Sequence, residues 1–191
     1  SHRFKFHAQT SGVDLTRQQP LNNISRVTAQ AMAGIFGGLQ SMHTNGYDEV
    51  LSTPTEEAAK IAVATQNVLR EEAHLVDVID PLAGSFYVET LTNEMEGKIL
   101  DIMGKIDEAG GMFEAVRKGL VQRMIGESAA AFQDRIDSGE QTLVGVNKYV
   151  AEEGSNVEPL PRPAANVMQK QLNRLKTFKA ERSNEAVDKA L

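Results

Sequence analysis

The chain has 191 residues, 41% apolar, 24% charged and 5% aromatic, which suits one ordinary domain or part of a larger one. Its 20 Lys and Arg against 26 Asp and Glu leave a net charge of −6, which argues against a nucleic-acid-binding face. It holds no cysteine, no apolar run approaching the roughly 18–20 residues of a membrane span, and no visible secretory leader, so thiolate chemistry is excluded and a soluble, cytoplasmic protein with no membrane partner is expected.

Residues 3–9 alternate charged and apolar side chains, the pattern of a half-buried strand, and run into Thr10-Ser11-Gly12, where glycine permits a sharp turn or a close approach. Pro20 fits a helix start, and Ile24, Val27, Ala31 and Ile35 follow at helical spacing until Gly37-Gly38. Leu39–His43 reads as a second short strand, followed by a polar loop, Thr44-Asn45-Gly46-Tyr47-Asp48-Glu49. Strand, loop, helix, strand, loop is the grammar of a parallel sheet or barrel.

Thr53-Pro54-Thr55-Glu56 predicts a helix capped by Thr53, with Pro54 in the first turn and Glu56 completing a capping box. Its stripe of Ala58, Ile61, Ala62, Val68 and Leu69 reaches to about residue 73. Residues 80–84 form a turn, Ser85–Val88 a short extended piece, and helix resumes over 90–109. It stops at Gly110-Gly111, restarts at Met112, and a further helix covers about 119–137. Val157–Pro163 carries three prolines in seven residues and reads as an extended linker. Met168, Leu172, Leu175 and Phe178 then mark an amphipathic tail helix. Three segments result: 1–52 with the last strands and their loops, 53–153 with covering helices and a helical extension, and 154–191 with linker and tail. Two strands among so many helices need partners that the chain does not contain, because sheet edges would stay unpaired.

Familiar catalytic motifs are absent: there is no GxGxxG, Walker loop, HExxH or GxSxG. His2, His7, His43 and His74 show no ligand pair on one helix face, so no metal site is assigned. Two stretches stand out: Phe6–Gly12 and Gln40–Gly46 each gather histidine, amide and hydroxyl groups at the C-terminal end of a strand, where α/β barrels collect their binding groups. Either these groups bind a large polar ligand, or they satisfy each other and neighbouring loops.

RFKFHAQTSGVDLTRQQPLNNISR and GGLQSMHTNGYDEVLSTPTEEAAKIAVATQ resemble the large subunit of the methylmalonyl-CoA mutase family. So do DPLAGSFYVETLTNEME, the GGM of 110–112, and RIDSGEQTLVGVNKY from Arg135 to Tyr149. The resemblance runs in order over residues 3–150 closely and over the tail more loosely. It implies an α/β fold: the C-terminal part of a (β/α)8 TIM barrel, with a mostly helical C-terminal extension. It implies an isomerase, an adenosylcobalamin-dependent acyl-CoA carbon-skeleton mutase, in which cobalt–carbon homolysis starts a radical rearrangement. The barrel of that family holds the acyl-CoA along its axis.

Residue by residue, the resemblance makes Gln9 the amide beside the corrin and adenosyl group, and His7, on the same strand face, a pocket residue near the substrate. Gly12 matches the glycine whose bare backbone lets the corrin approach. Gln40 resembles an amide facing the acyl-CoA. Glu49 resembles the carboxylate holding the adenosine ribose, with Val50 and Ser52 near the cofactor on the following turn. These are binding residues, and no catalytic residue is assigned. The family's substrate-gripping residues lie in earlier strands, and its cobalt-ligating histidine in a separate cobalamin-binding domain or subunit. The expected partners are therefore an N-terminal barrel portion, that cobalamin domain and the acyl-CoA, in an oligomeric enzyme, with this segment inactive by itself. Val13 stands where methylmalonyl-CoA mutases often carry tryptophan, which leaves isobutyryl-, ethylmalonyl- and 2-hydroxyisobutyryl-CoA open beside methylmalonyl-CoA. A non-catalytic module that completes a partner's barrel is the alternative of another class.

Overall fold

The computed structural model describes residues 4–151, 164 and 166–191. His2, Arg3 and the linker predicted over Val157–Pro163 lie outside the described residues. The chain divides into two units, 1–156 and 157–191.

The first unit opens with a strand–helix–strand unit. β1 (His7–Gln9) pairs in parallel with β2 (Ser41–His43), in the register His7 with Ser41, Ala8 with Met42 and Gln9 with His43. Both strands are shorter than their alternating patterns predict, since among the described residues each edge of this two-stranded sheet lacks a further strand to extend against. Between them runs α1 (Asn22–Phe36), which buries Asn23, Val27 and Ala31 along one face and ends at Gly37-Gly38 as expected. Gly34 lets α1 pack closely on the sheet: a Cβ there would stand 2.6 Å from Leu39 Cδ2 and 3.2 Å from Met42 Cε, so both side chains would have to shift.

α2 (Glu56–Asn67) buries Ala58 and Ala62, and a single π turn at Val68–Glu72 buries Leu69 before the helix stops. The cap is Thr55, not Thr53: the Thr55 hydroxyl accepts from Ala58 N–H at 3.2 Å, and Pro54 lies outside the helix. The capping box expected from Glu56 is therefore absent, because position N3 is Ala58. Ser85–Val88 is not extended either. Ser85 caps α3 (Phe86–Glu108), and the Glu89 carboxylate accepts from Gly84 N–H at 3.0 Å, so the local hydroxyl and acid recruit these residues into the first turn.

α4 (Met112–Arg117) and α5 (Leu120–Asp137) follow the glycine breaks at 110–111 and 119, all three at positive φ. The core is small: among the described residues, Leu15, Val27, Ala31, Ala58, Ala62, Leu69 and Ala115 are the buried apolar side chains. α3 buries none of its 23 residues. Open apolar grooves run beside it, one of about 780 Å³ between Met32, Phe36, Ile79 and Val88, another of about 670 Å³ between Ile102, Ile106, Met124 and Phe132.

The second unit holds α6 (Val167–Glu181) and α7 (Asn184–Ala190). Met168, Leu172, Leu175 and Phe178 lie on α6, all exposed. Among the described residues no helix is long and apolar enough to cross a membrane.

Candidate functional site

The pleat sorts the sheet into two faces. Ala8 and Met42 are partly covered, while His7, Gln9, Ser41 and His43 are exposed together on the other face. His7 Nδ1 lies 2.7 Å from Ser41 Oγ, a hydrogen bond across the pair. Period-two alternation places His7 and Gln9 on one side, and it equally marks Ser41 and His43, which the assignment by resemblance passed over.

Beyond the C-terminal ends of the strands, two loops are locked together through Asn45, which is 2% exposed. Its backbone N–H donates to Thr10 Oγ1 at 2.9 Å. With the amide turned so that its nitrogen faces Thr10, that nitrogen donates to Thr10 Oγ1 at 3.0 Å and Thr10 O at 3.1 Å, and the amide oxygen accepts from Gly12 N–H at 3.2 Å. The Gln9 amide reaches the Asn45 amide at 3.5 Å. A Cβ on Gly12 would stand 3.2 Å from that same amide, so any side chain there would press on the junction of the loops.

The second loop folds back on itself. Gly46 O accepts from Glu49 N–H at 3.1 Å and Asp48 O from Leu51 N–H at 2.9 Å. Asp48 is buried, and its Oδ2 accepts from both Thr55 N–H at 3.0 Å and Thr55 Oγ1 at 2.7 Å. Its Oδ1 is buried with no partner among the described residues. Glu49 is half-buried, and its carboxylate has neither hydrogen bond nor ion pair among the described residues. Val50 and Ser52 are exposed on the turn, the Ser52 hydroxyl donating to Thr53 O at 3.3 Å. Burial raises the Tyr47 phenol above its usual 10.0, with the Glu57 and Asp48 carboxylates pushing the same way.

Gln40 stands apart from the other six assigned residues. It precedes β2 at the N-terminal end of the strand, not the C-terminal end expected. Its oxygen accepts from Phe6 N–H at 2.7 Å and its nitrogen donates to Gly38 O at 2.7 Å. Its amide thus continues the strand pairing at the sheet end, beside the Gln40 N–H that donates to Phe6 O at 3.1 Å.

Thr10 and Asn45 belong to the two polar stretches marked in the sequence and satisfy each other across the loops, whereas the buried Asn23 and Asp48, which also hold these loops, were overlooked. Asn23 had a legible signal, since it lies four and eight residues before Val27 and Ala31 and so shares their buried stripe. A polar residue on such a stripe needs partners, and the loops supply them.

The family model described as "Methylmalonyl-CoA mutase" matches residues 1–191. The chain belongs to the methylmalonyl-CoA mutase family. A relative from Caenorhabditis elegans, named as a probable mitochondrial methylmalonyl-CoA mutase, is 45% identical over 191 residues. That comparison covers 100% of this chain and 26% of the relative. The mitochondrial methylmalonyl-CoA mutase of Bos taurus is 44% identical over 97% of this chain and 25% of its own length. The methylmalonyl-CoA mutase of Escherichia coli K12 is 44% identical over 97% of this chain and 26% of its own length. The chain thus spans about a quarter of these mutase-family relatives.

Proposed function

We propose that this chain is the cofactor-facing segment of an adenosylcobalamin-dependent acyl-CoA mutase, an isomerase that converts methylmalonyl-CoA to succinyl-CoA. The observation that carries the reading is the convergence of the motif residues: Gln9, Gly12 and Glu49 lie on two loops joined by Asn45 at one end of a parallel strand pair. The whole-length family match supports it. In this reading β1, α1, β2 and α2 are the closing units of a (β/α)8 barrel whose other strands pair with the open sheet edges. The exposed polar face of His7, Gln9, Ser41 and His43 then lines the barrel interior. The bare apolar face of α3 docks against the rest of the enzyme.

The donor set suits the cofactor. A half-buried carboxylate without a protein partner can accept both hydroxyls of a ribose, and an exposed amide can donate and accept toward corrin side chains. Glu49 would hold the adenosine ribose, with Gln9, Val50 and Ser52 beside the cofactor and Gly12 leaving the backbone open to it. The bound cofactor supplies radical chemistry that protein side chains lack. This chain's residues contribute binding, orientation and exclusion of water, and none of them is required to move a proton. His7 and Gln40 would lie toward the substrate, Gln40 by shaping the sheet edge. Val13, 91% exposed beside Gly12, is a small side chain at the cofactor-facing loop, and it keeps a different acyl-CoA as the second reading for the substrate.

The test combines this chain with the barrel portion and cobalamin domain that complete it, then adds adenosylcobalamin and candidate acyl-CoAs. Isomerisation of methylmalonyl-CoA is expected. Failure of the assembly to bind adenosylcobalamin removes the reading, and turnover of another acyl-CoA alone corrects the substrate.

A further inference from the structure

Asn23 is fully buried in the first turn of α1, and it spends its entire hydrogen-bonding capacity on the segments around it. Its Oδ1 accepts from Thr16 N–H at 3.0 Å and from Arg26 Nη1 at 2.8 Å. Its Nδ2 donates to Thr16 O and to Tyr47 O, both at 2.9 Å. Two donors face the oxygen and two carbonyls face the nitrogen, so only one orientation of the amide satisfies all four.

Thr16 ends the loop that carries Gly12 and Val13. Tyr47 lies between Asn45 and Glu49. One buried side chain therefore ties the first loop to the second. Arg26 extends the tie: Nη1 also donates to Thr16 Oγ1 at 2.8 Å, and Nη2 donates to Val144 O at 2.8 Å. Gln19 Nε2 meanwhile donates to Tyr149 O at 3.0 Å. The turn over 144–149 is in this way fastened to the same platform.

We infer that Asn23 is a positioning residue that couples the two cofactor-facing loops, helping to fix the separation of Gly12 from Glu49 through its two hydrogen bonds to Thr16 and its one to Tyr47. The inference rests on the mutase reading for what the loops bind, but the coupling itself belongs to this chain. Asn23 is fully buried and would act through the loops it holds, by way of Thr16 and Tyr47, with Arg26 as its neighbour on the helix.

Asn23→Asp separates coupling from mere stability. An aspartate keeps an acceptor for Thr16 N–H and Arg26, but it turns an oxygen toward Thr16 O and Tyr47 O. The first loop keeps its attachment through Thr16 N–H and Thr16 Oγ1, whereas the second loses the only bond Asn23 gives it. Hydrogen–deuterium exchange on the assembled enzyme reads the difference. In Asn23→Asp, the amides of Glu49 and Leu51 are expected to exchange about tenfold faster or more, while Thr16 keeps its protection. In Asn23→Ala, both loops are expected to loosen. The adenosylcobalamin Kd is expected to rise about tenfold in both variants, as loss of the buried bonds releases the loops.

Unchanged exchange of Glu49 and Leu51 in Asn23→Asp overturns the inference, and so does an unchanged Kd once those amides have loosened. Should Asn23→Ala not fold, the aspartate variant alone decides. A wild-type enzyme that binds no adenosylcobalamin sinks the mutase reading, and the exchange comparison still decides the coupling.

Discussion

Asp48 and Thr55 close the loop that carries Glu49, one carboxylate oxygen accepting from both the backbone N–H and the hydroxyl of the threonine. Thr55 passes the connection on by capping α2 through Ala58 N–H. The turn that presents Glu49 is therefore anchored to a helix end by a partly buried pair of hydrogen bonds to one carboxylate oxygen.

Replacing Thr55 by alanine removes the cap and one of the two bonds to Asp48, leaving the carboxylate with a single donor. A loss of about 1–3 kcal/mol is expected, from the capping and hydrogen-bond terms together. Thr55→Ser keeps both and is expected to stay within about 0.5 kcal/mol. Urea unfolding of the three proteins measures the difference, and equal midpoints for alanine and serine contradict it.

Gly46 sits where no side chain fits. A Cβ would stand 3.0 Å from Pro54 Cβ, 3.1 Å from Asp48 Oδ1 and 3.3 Å from Ala58 Cβ, and none of these is the end of a long flexible chain. Gly46→Ala is expected to destabilise by about 1–3 kcal/mol through overpacking. Gly97→Ala, where nothing lies within 4 Å of the added carbon, is expected to be neutral or slightly stabilising on the helix. Thermal unfolding of the two variants side by side is the check.

Glu49 has no partner to lose among the described residues, so Glu49→Gln is expected to change stability by less than about 0.5 kcal/mol. In the assembled enzyme the same change is expected to weaken adenosylcobalamin binding about tenfold or more, because an amide is a poorer acceptor for a diol than a carboxylate. Equilibrium titration of the cofactor measures it. Wild-type affinity in this variant removes Glu49 from the ribose.

The raised Tyr47 phenol makes a pH prediction with a definite sign. A folded-state value above the unfolded 10.0 favours the neutral phenol in the native state, so its contribution is fully present below pH 10. As pH rises past 10 the unfolded chain ionises first, and that contribution is lost through the folded value. Tyr47→Phe is expected to flatten this part of the stability–pH curve. Urea midpoints from pH 8 to 11 that fall equally in both proteins would count against it.

Leu91, Met95 and Ile99 are 45%, 57% and 49% exposed along α3. The isolated chain is expected to bind an environment-sensitive hydrophobic dye more strongly than a compact monomer of its size, and to show no turnover. Lysine at these three positions is expected to lower the dye signal while leaving the helix in place. A signal that the substitutions do not move would place the sticky surface elsewhere.

Much of the architecture was legible in local chemistry. Spacing alone marked α1 through Val27, Ala31 and Ile35, and the glycines at 37–38 and 110–111 marked breaks, because the conformational freedom that comes with the lack of Cβ acts within a few residues. Local rules misplaced the cap at Thr53 and the start of α3. There the winner among neighbouring hydroxyls depended on distant groups or on the next turn: Asp48 selects Thr55, and Glu89 helps Ser85 begin the helix early.

The candidate site divides in the same way. Residue type and strand position singled out the stretches Phe6–Gly12 and Gln40–Gly46 as groups able to meet a large polar ligand, and the sequence of motifs carried the family and, through the resemblance, Glu49. What only the tertiary structure decided is which amides are free and which are spent. Gln40 is consumed by the backbone at Phe6 and Gly38, Asn45 by Thr10 and Gly12, and Asn23 by Thr16 and Tyr47, whereas Glu49 keeps its carboxylate unpaired among the described residues. Hydrogen-bond capacity is a property of the residue, but apart from the local Gln40–Gly38 bond its use is settled by partners 7 to 35 positions away, and only the folded chain brings those together.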